Sequence, residues 1–517
     1  MRKIYRHASQ VITYLGPHSP DMEEESQALS LLSRLDAHFR PNYAYLDAQP
    51  KAFINTSDYF PVPRLPSSIS TDDPAWLALL RIVCGEWTKR LWMVQENILC
   101  DDTVMLRGHQ LLNWLSAASI PFFLYAGILP DTLLPQLRSE IAFNPSINID
   151  RLLPTWERRL ECSNGQQAAS RFRGLAGNLS FYNELQCRDQ RDKVFALLGI
   201  SSDAEELGIE SDYKSPVEEV LLRTSTQIYQ RSGEMELLEV LSGQADHSTL
   251  SLSSWVYIGT KDVEYPILDY YPHPDSHTDV RFEDDSRIMI VRGRIINKIR
   301  FITQAVNTME RLPDYHNRLR VCEQRTLAII ELLNHTQYGL DQLDQLAHIW
   351  VADPDWSSGD YEVYSGFCTW ALYRYAVRVW CNWNGSIAND SALSALLHHT
   401  IRKLRAALGN AGENVANDPW ESLTSEEFEI GGELWNKGRV QGRSLGILES
   451  GYLCNVSGRA QCGDVVALLQ GGNLAYVLRP VGDRFRFVGT IYICGYANGA
   501  AYAGVDKDSV DQDIAMV

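Results

Sequence analysis

The stretch SLGILESGYLCNVSGRAQCGDVVALLQGGNLAYVLRPVGDRFRFVGTIYICGYANG, residues 444–499, decides the architecture of the C-terminal region. Short apolar runs such as LGIL, YLCNV, VVALL and LAYVL are separated by Gly, Asp and Asn clusters, the punctuation of tight turns between strands. Many short strands must close on themselves or stack as two sheets to hide their edges. Residues 436–505 are therefore expected to form a small β-barrel or β-sandwich. Residues 506–517 read as a disordered tail, because chain ends stay loose unless something ties them down.

Upstream, residues 251–435 read as a mixed region. SSWVYIGT (253–260) and SRIMIVRGRIINKIRFI (286–302) alternate in strand fashion, and a helical stretch rich in Tyr and Trp follows from about 315 to 410. No basic stripe runs beside those aromatics, so they are expected to fill a core and not to stack on bases. Residues 109–250 read as a helical accessory region, best patterned in RDKVFALLGI (191–200) and VEEVLLRTSTQIYQRSG (217–233).

Residues 1–108 read as an α/β unit. A helix end leads into the strand VITYLG, broken at Gly16 and Pro17. MEEESQALSLLSRLDAHF (22–39) places Ala28, Leu29, Leu32 and Leu35 at helical spacing behind an acidic first turn. Residues 40–70, rich in Pro, Asn and Ser, read as a long loop. Asp72 or Asp73 then caps a helix with the stripe Trp76, Leu79, Leu80 and Val83, and Gly85 breaks it. A second helix is expected from Trp87, with Leu91, Val94 and Ile98 inward, before DDTVMLRG (101–108) returns as a strand. The whole is an α+β multidomain chain.

A chain of 517 residues, with 45% hydrophobic and 22% charged residues, has the composition of several folded domains. Its net charge of −18 repels phosphate at long range, so neither nucleic acid nor a membrane is expected as a partner. The ten cysteines lack CxxC pairs or zinc-like spacing, which points to free thiols in a reducing compartment and to no metal. SIPFFLYAGIL (119–129) is well short of the roughly 20 residues needed to span a bilayer. The start has no signal-peptide pattern, so a cytoplasmic location is expected. The sequons at Asn178 and Asn455 are then chance matches.

Several stretches together resemble the fungal heterokaryon-incompatibility (HET) domain proteins. MRKIYRHASQVITYLG (1–16) is similar to that domain's middle motif, and WTKRLWMVQE supplies its closing motif in Trp87, Arg90, Trp92, Gln95 and Glu96. CRDQRDKVFALLGI and SDYKSPVEEV are similar to segments that commonly accompany the domain, and the strands from SSWVYIG onward fit the larger fungal proteins. The family's opening Tyr-x-Trp-Gly and Cys-Ile-Asn-Gln motifs do not precede Met1. The chain is therefore expected to hold a partial HET domain, either truncated or started too far downstream. The resemblance implies allorecognition and programmed cell death, with protein partners or self-association. An alternative is a non-catalytic interaction or decoy protein.

HET domains are thought to be distant relatives of TIR domains, some of which cleave NAD through a helix glutamate in a Trp-x-x-x-Glu pattern. Trp92 and Glu96 have that spacing, which puts an indole beside a carboxylate on one helix face. By this resemblance Glu96 is the candidate catalytic group, Trp92 and Gln95 are pocket residues, and NAD is a substrate; no cofactor is implied. The competing reading makes Glu96 structural, paired with Arg90 or Lys89. GRSLG (442–446) matches the nucleophile elbow around Ser444, but polar NKGRVQ precedes it and strand-like ILESGYL follows, so it reads as chance. Arg188, Asp189, Arg191, Asp192 and Lys193 read as a solvated charged cap; if they act, Arg191 and Asp192 should hold the helical region against the HET unit. His398 and His399 read as surface or satisfied core residues.

Overall fold

Alternate residues of Val11–Gly16 (β1) turn inward: Val11, Thr13 and Leu15 are buried, while Ile12 and Tyr14 are exposed, as in a strand with one packed face. In a computed structural model, the structure describes residues 2–48, 68–70, 73–100, 102–113, 117, 174–242, 251–259, 264, 272–273, 275, 277–306, 315–335, 340–353, 366–383, 390–408, 416–504 and 506–517. The chain divides into two compact units, the first over Met1–Lys214 and the second over Ser215–Glu310 with Asp314–Val517.

In the first unit, α1 (Arg2–His7) precedes β1, and β1 pairs in parallel with β2 (Thr103–Arg107), Val11 facing Thr103 and Tyr14 facing Leu106. A parallel pair needs a long crossover. Here it carries α2 (Met22–Ala48), α3 (Ala75–Val83), a 3₁₀ turn (Glu86–Lys89) and α4 (Met93–Ile98). Helix α2 packs on α3 through a buried stripe that includes Leu31, Leu32 and Leu35. It runs on to Ala48, through Pro41, where a loop from residue 40 was expected; one proline removes one helical hydrogen bond, and here the helix tolerates it. The edge strand β3 (Gln110–Asn113) joins β2 through a two-residue turn whose first position, Gly108, has φ +56, the left-handed value such hairpins require. Helices α5 (Leu175–Phe181), α6 (Asp192–Leu198) and α7 (Ala204–Leu207) complete the unit. SIPFFLYAGIL and most of the region expected to be helical over 109–173 lie outside the described residues.

The second unit opens with α8 (Val217–Ser232) and α9 (Glu236–Leu241), followed by the hairpin of β4 (Arg281–Glu283) and β5 (Ile288–Ile302). Helices α10 (Tyr315–His335), α11 (Leu340–Val351), α12 (Phe367–Trp383), α13 (Ser391–Leu408) and α14 (Ser425–Lys437) come next. The chain then returns to strands: β6 (Arg443–Leu448), β7 (Leu453–Ser457), β8 (Val465–Leu469), β9 (Ala475–Val481), β10 (Arg484–Ile493) and, after the short α15 (Lys507–Val510), β11 (Gln512–Met516).

The ladder closes as a ring, β5–β6–β7–β10–β9–β8–β5, so the structure is a barrel and not a sandwich. Closure needs β5, whose residues precede the 436–505 segment assigned to the β domain, because its fifteen residues bridge β8 along Gly293–Lys298 and β6 along Ile299–Ile302. The expected tail over 506–517 is corrected too. Gln512–Met516 pairs antiparallel with Met289–Gly293, and Ile514 and Met516 are fully buried, so sheet edge and core together order the segment. SSWVYIG is no strand: Ser225 Oγ accepts from Tyr257 N (3.0 Å) and Tyr229 donates to the Trp255 carbonyl (3.2 Å), so side chains of α8 satisfy backbone groups a ladder would use.

Burial extends through every residue of β6 and β7, with α10 against β6 and α11 against β7. Trp350, Trp370, Tyr373 and Trp380 are fully buried, so the aromatics of the helical stretch do form core. Helix α14 is set by a capping box, in which Thr424 accepts from Glu427 N and Glu427 accepts from Thr424 N. The buried Glu427 also takes Trp370 Nε1 (2.6 Å), tying α14 to α12. Arg443, 1% exposed, is satisfied by Asn455 Oδ1 (2.7 Å), Glu264 Oε2 (2.9 Å) and the Thr490 carbonyl (2.6 Å), as a buried guanidinium must be. Among the described residues no helix is long and apolar enough to cross a membrane. Truncating Ile514→Ala should cost about 2–5 kcal/mol of stability, read as a lower urea midpoint with an unchanged slope. A truly loose tail would give no change.

Candidate functional site

The stretch 86–100 folds as two pieces. After the 3₁₀ turn, Arg90 is extended (φ −79, ψ 130) and forms a bridge with Gln186, with Gln186 N donating to Lys89 O (2.6 Å) and Leu91 N to Gln186 O (2.9 Å). The single helix expected from Trp87 is therefore interrupted, because these backbone groups pair with another segment. Trp87 Nε1 instead donates to Val83 O (3.0 Å), closing the end of α3. Helical geometry resumes at Trp92, whose carbonyl accepts from Glu96 N (3.2 Å), so Trp92 and Glu96 do share one face.

Gln95 points elsewhere. Its side chain is buried, and Nε2 donates to Ala196 O of α6 (2.7 Å). The approach is close enough that a Cβ on Gly199 would lie 2.7 Å from that nitrogen, so the glycine makes room for the amide. Gln95 is a strut between α4 and α6. Beside it, Asn97 is buried, donating to Met93 O (2.7 Å) and accepting from Thr13 Oγ1 in β1 (3.3 Å).

Glu96 is half-buried, and among the described residues its carboxylate makes no hydrogen bond or ion pair. Lys89 is committed to Glu86 (2.7 Å). Burial raises the Glu96 pKa above the ordinary glutamate value, with the Arg90 charge pulling the other way. Helix α1 packs on α4, and the Tyr5 hydroxyl is raised by burial and next by the Glu96 charge. Tyr5, Arg90 and Glu96, with Trp92 on the same helix face, thus make a partly dry patch in which burial holds the carboxyl's pKa above the ordinary glutamate value.

The carboxyl ends of β1 and β2, where open α/β sheets bind ligands, hold a group the sequence reading missed. Glu25, 3% exposed, accepts from His18 Nδ1 (2.7 Å), Arg107 Nη2 (3.2 Å) and, at very short range, Ser19 N. Arg107 also donates to Leu15 O (3.2 Å), and His109 N to His18 Nε2 (3.2 Å). Burial by itself would raise the Glu25 carboxyl, but the hydrogen bonds from Ser19, His18 and Arg107 outweigh it and hold the pKa below 4.5. One signal was legible: Glu25 lies three, four and seven residues before Ala28, Leu29 and Leu32, on the apolar face of its helix.

The Het-6 beta-barrel domain family matches residues 403–508. Over 96% of its length the chain aligns with heterokaryon incompatibility protein 6, OR allele, of Neurospora crassa, at 24% identity and covering 78% of that protein. The chain is thus similar to fungal HET-type proteins over its barrel and along most of its length. No solved structure matches it. The barrel match takes in β6–β10 and stops short of β5 and β11, the strands that complete the sheet.

The other candidate residues lie in packing and pairing contacts. Ser444 is buried in mid-sheet opposite Val456, with no elbow around it. Arg191 pairs with Asp189 (2.7 Å), while Asp192 accepts from Tyr213 OH (2.6 Å). Lys193, expected in the solvated cap, is buried, and its ammonium is held by the Asn183 and Leu185 carbonyls. His398 is half-buried and bonds its own helix at Ser394 O (2.7 Å). The nine described cysteines are free thiols, and no described group of His, Cys, Asp or Glu could hold a metal.

Replacing Gln95→Ala should cost about 1–3 kcal/mol in chemical denaturation, because Ala196 O loses its donor in a dry contact. Glu25→Gln should cost about 1.5–3 kcal/mol at neutral pH. The Glu25 pKa is depressed, so its contribution is present above 4.5 and is lost as pH falls through the folded value. The gap between wild type and Glu25→Gln should accordingly close in acid; a gap independent of pH would exclude the carboxylate as its source.

Proposed function

We propose that the protein acts in incompatibility-type allorecognition leading to programmed cell death, as a cytoplasmic protein that associates with itself or with protein partners. In this reading the first unit is a TIR-like α/β fold that cleaves NAD at Glu96. The relation to the Neurospora crassa protein supports the recognition role. One observation carries the chemistry: a half-buried carboxylate, without a hydrogen bond or ion pair among the described residues and with a pKa raised by burial against the Arg90 charge, stands on the same face as Trp92, and its charge raises the Tyr5 hydroxyl. Glu96 would accept a hydrogen bond from a ribose hydroxyl as the bond from C1′ to nicotinamide breaks. Nicotinamide leaves with the electron pair, water adds at C1′, and its proton passes to solvent or to Glu96.

A non-catalytic interaction protein is the second reading, favoured by the Glu25, His18 and Arg107 group at the strand ends where a ligand would ordinarily sit. Nicotinamide release by the self-associated chain distinguishes the two. Turnover that falls by about 10²-fold or more in Glu96→Ala supports catalysis. A folded, self-associated chain that releases no nicotinamide leaves the interaction role.

A further inference from the structure

The barrel carries an arrangement its fold does not require. Across β9 and β10, Arg479 stands directly opposite Arg486, and like charges in that position work against the sheet. The two are treated differently. Arg479 donates Nε to Asp464 Oδ1 (2.9 Å) and Nη2 to Asp464 Oδ2 (3.0 Å) and to the Arg459 carbonyl (3.0 Å). This fork fixes its guanidinium and leaves Nη1 without an acceptor among the described residues. Arg486 is exposed, and among the described residues it has neither hydrogen bond nor acidic partner.

Both arginines line one cavity of ≈ 400 Å³, together with Arg459, Gln461 and Ser254. That volume falls within the range of small-molecule sites. The chain as a whole is strongly acidic, at −18, so this concentration of guanidinium groups is a local feature set against the overall charge.

We propose that the cavity binds a small phosphate ester, its phosphate bridging Arg479 and Arg486. Asp464 already balances Arg479, so the exposed Arg486 brings charge with no acidic partner among the described residues, and its place opposite Arg479 in the ladder puts both residues on one face of the sheet and in one cavity lining. A phosphate group brings three acceptor oxygens and a charge of about −1.5 to −2, enough to engage both guanidinium groups at once. A carboxylate has two oxygens and a single charge, and one arginine satisfies it. The rest of the ligand would lie toward Gln461 and Ser254. No residue of the first unit takes part, so the inference stands apart from NAD cleavage.

Calorimetric titration of the full chain at low ionic strength with adenosine monophosphate, inorganic phosphate and citrate tests it. Adenosine monophosphate should bind, and added salt should weaken it because Arg486 is exposed. Arg486→Gln should lose tenfold or more in affinity, and Arg486→Lys, which keeps the charge without the fork, should fall between. Arg484→Gln, on the same strand but outside the cavity lining, should bind as wild type. Tighter binding of the nucleotide than of inorganic phosphate supports the ester. The proposal is overturned if inorganic phosphate or citrate matches the nucleotide, if nothing binds, or if Arg486→Gln with an unchanged near-ultraviolet spectrum binds like wild type.

Discussion

The second unit depends on one strand serving several partners. β5 is fifteen residues long, and its ladder bonds run to β4 and β11 at one end, to β8 in the middle and to β6 at the other. Without it the strands from β6 to β10 form an open ribbon with two free edges, the condition that β proteins avoid by closing or covering. Irregularities in its register, between Ile295 and Asn297 and between Ile299 and Phe301, let one strand turn the corner from β8 to β6. Helices α10–α14 lie between β5 and β6 in the chain, and two of them cover the outer faces of β6 and β7, which accounts for the lack of alternation there.

In the first unit a single turn of α4 divides its duties by direction. Gln95 and Asn97 face inward and are committed to α6 and β1, while Trp92 and Glu96 are half-buried and make no side-chain hydrogen bond among the described residues. The strut fixes the backbone on which the glutamate stands, a division of labour in which buried neighbours position a group they do not touch. Among the described residues the carboxylate makes no hydrogen bond or ion pair, and burial disfavours its charge more than the Arg90 charge favours it.

Much of this organisation was legible because it is local. Strand alternation in VITYLG, the stripe of α3 and the turn-punctuated run over 444–499 depend on residues a few positions apart. What was not legible depends on distant partners. Barrel rather than sandwich follows from β5 meeting β8 and β6; the order of 506–517 follows from an edge near Val291; the strand-like SSWVYIG is overruled by Ser225 and Tyr229. In the candidate site, the pairing of Trp92 with Glu96 could be read from helical spacing, but nothing near Gln95 in sequence announces the carbonyl of Ala196. The charged run at 188–193 was read correctly at Arg191 and Asp189 and missed at Lys193, whose long stem reaches main-chain acceptors that no pattern specifies.

The pairing of Val291 with Ile514 also bears on how the molecule is made. During synthesis β5 emerges long before the strands that close around it, and at about 5–20 residues per second it waits on the order of ten seconds or more for β11. In that interval its apolar residues Ile288–Val291 have no ladder partners beyond β4. The helices encoded in between can form early, being built from local contacts, whereas the barrel must assemble after most of its chain has left the ribosome. A nascent chain of this design carries an unpaired apolar strand for much of its birth, the condition under which strand edges are prone to pair wrongly.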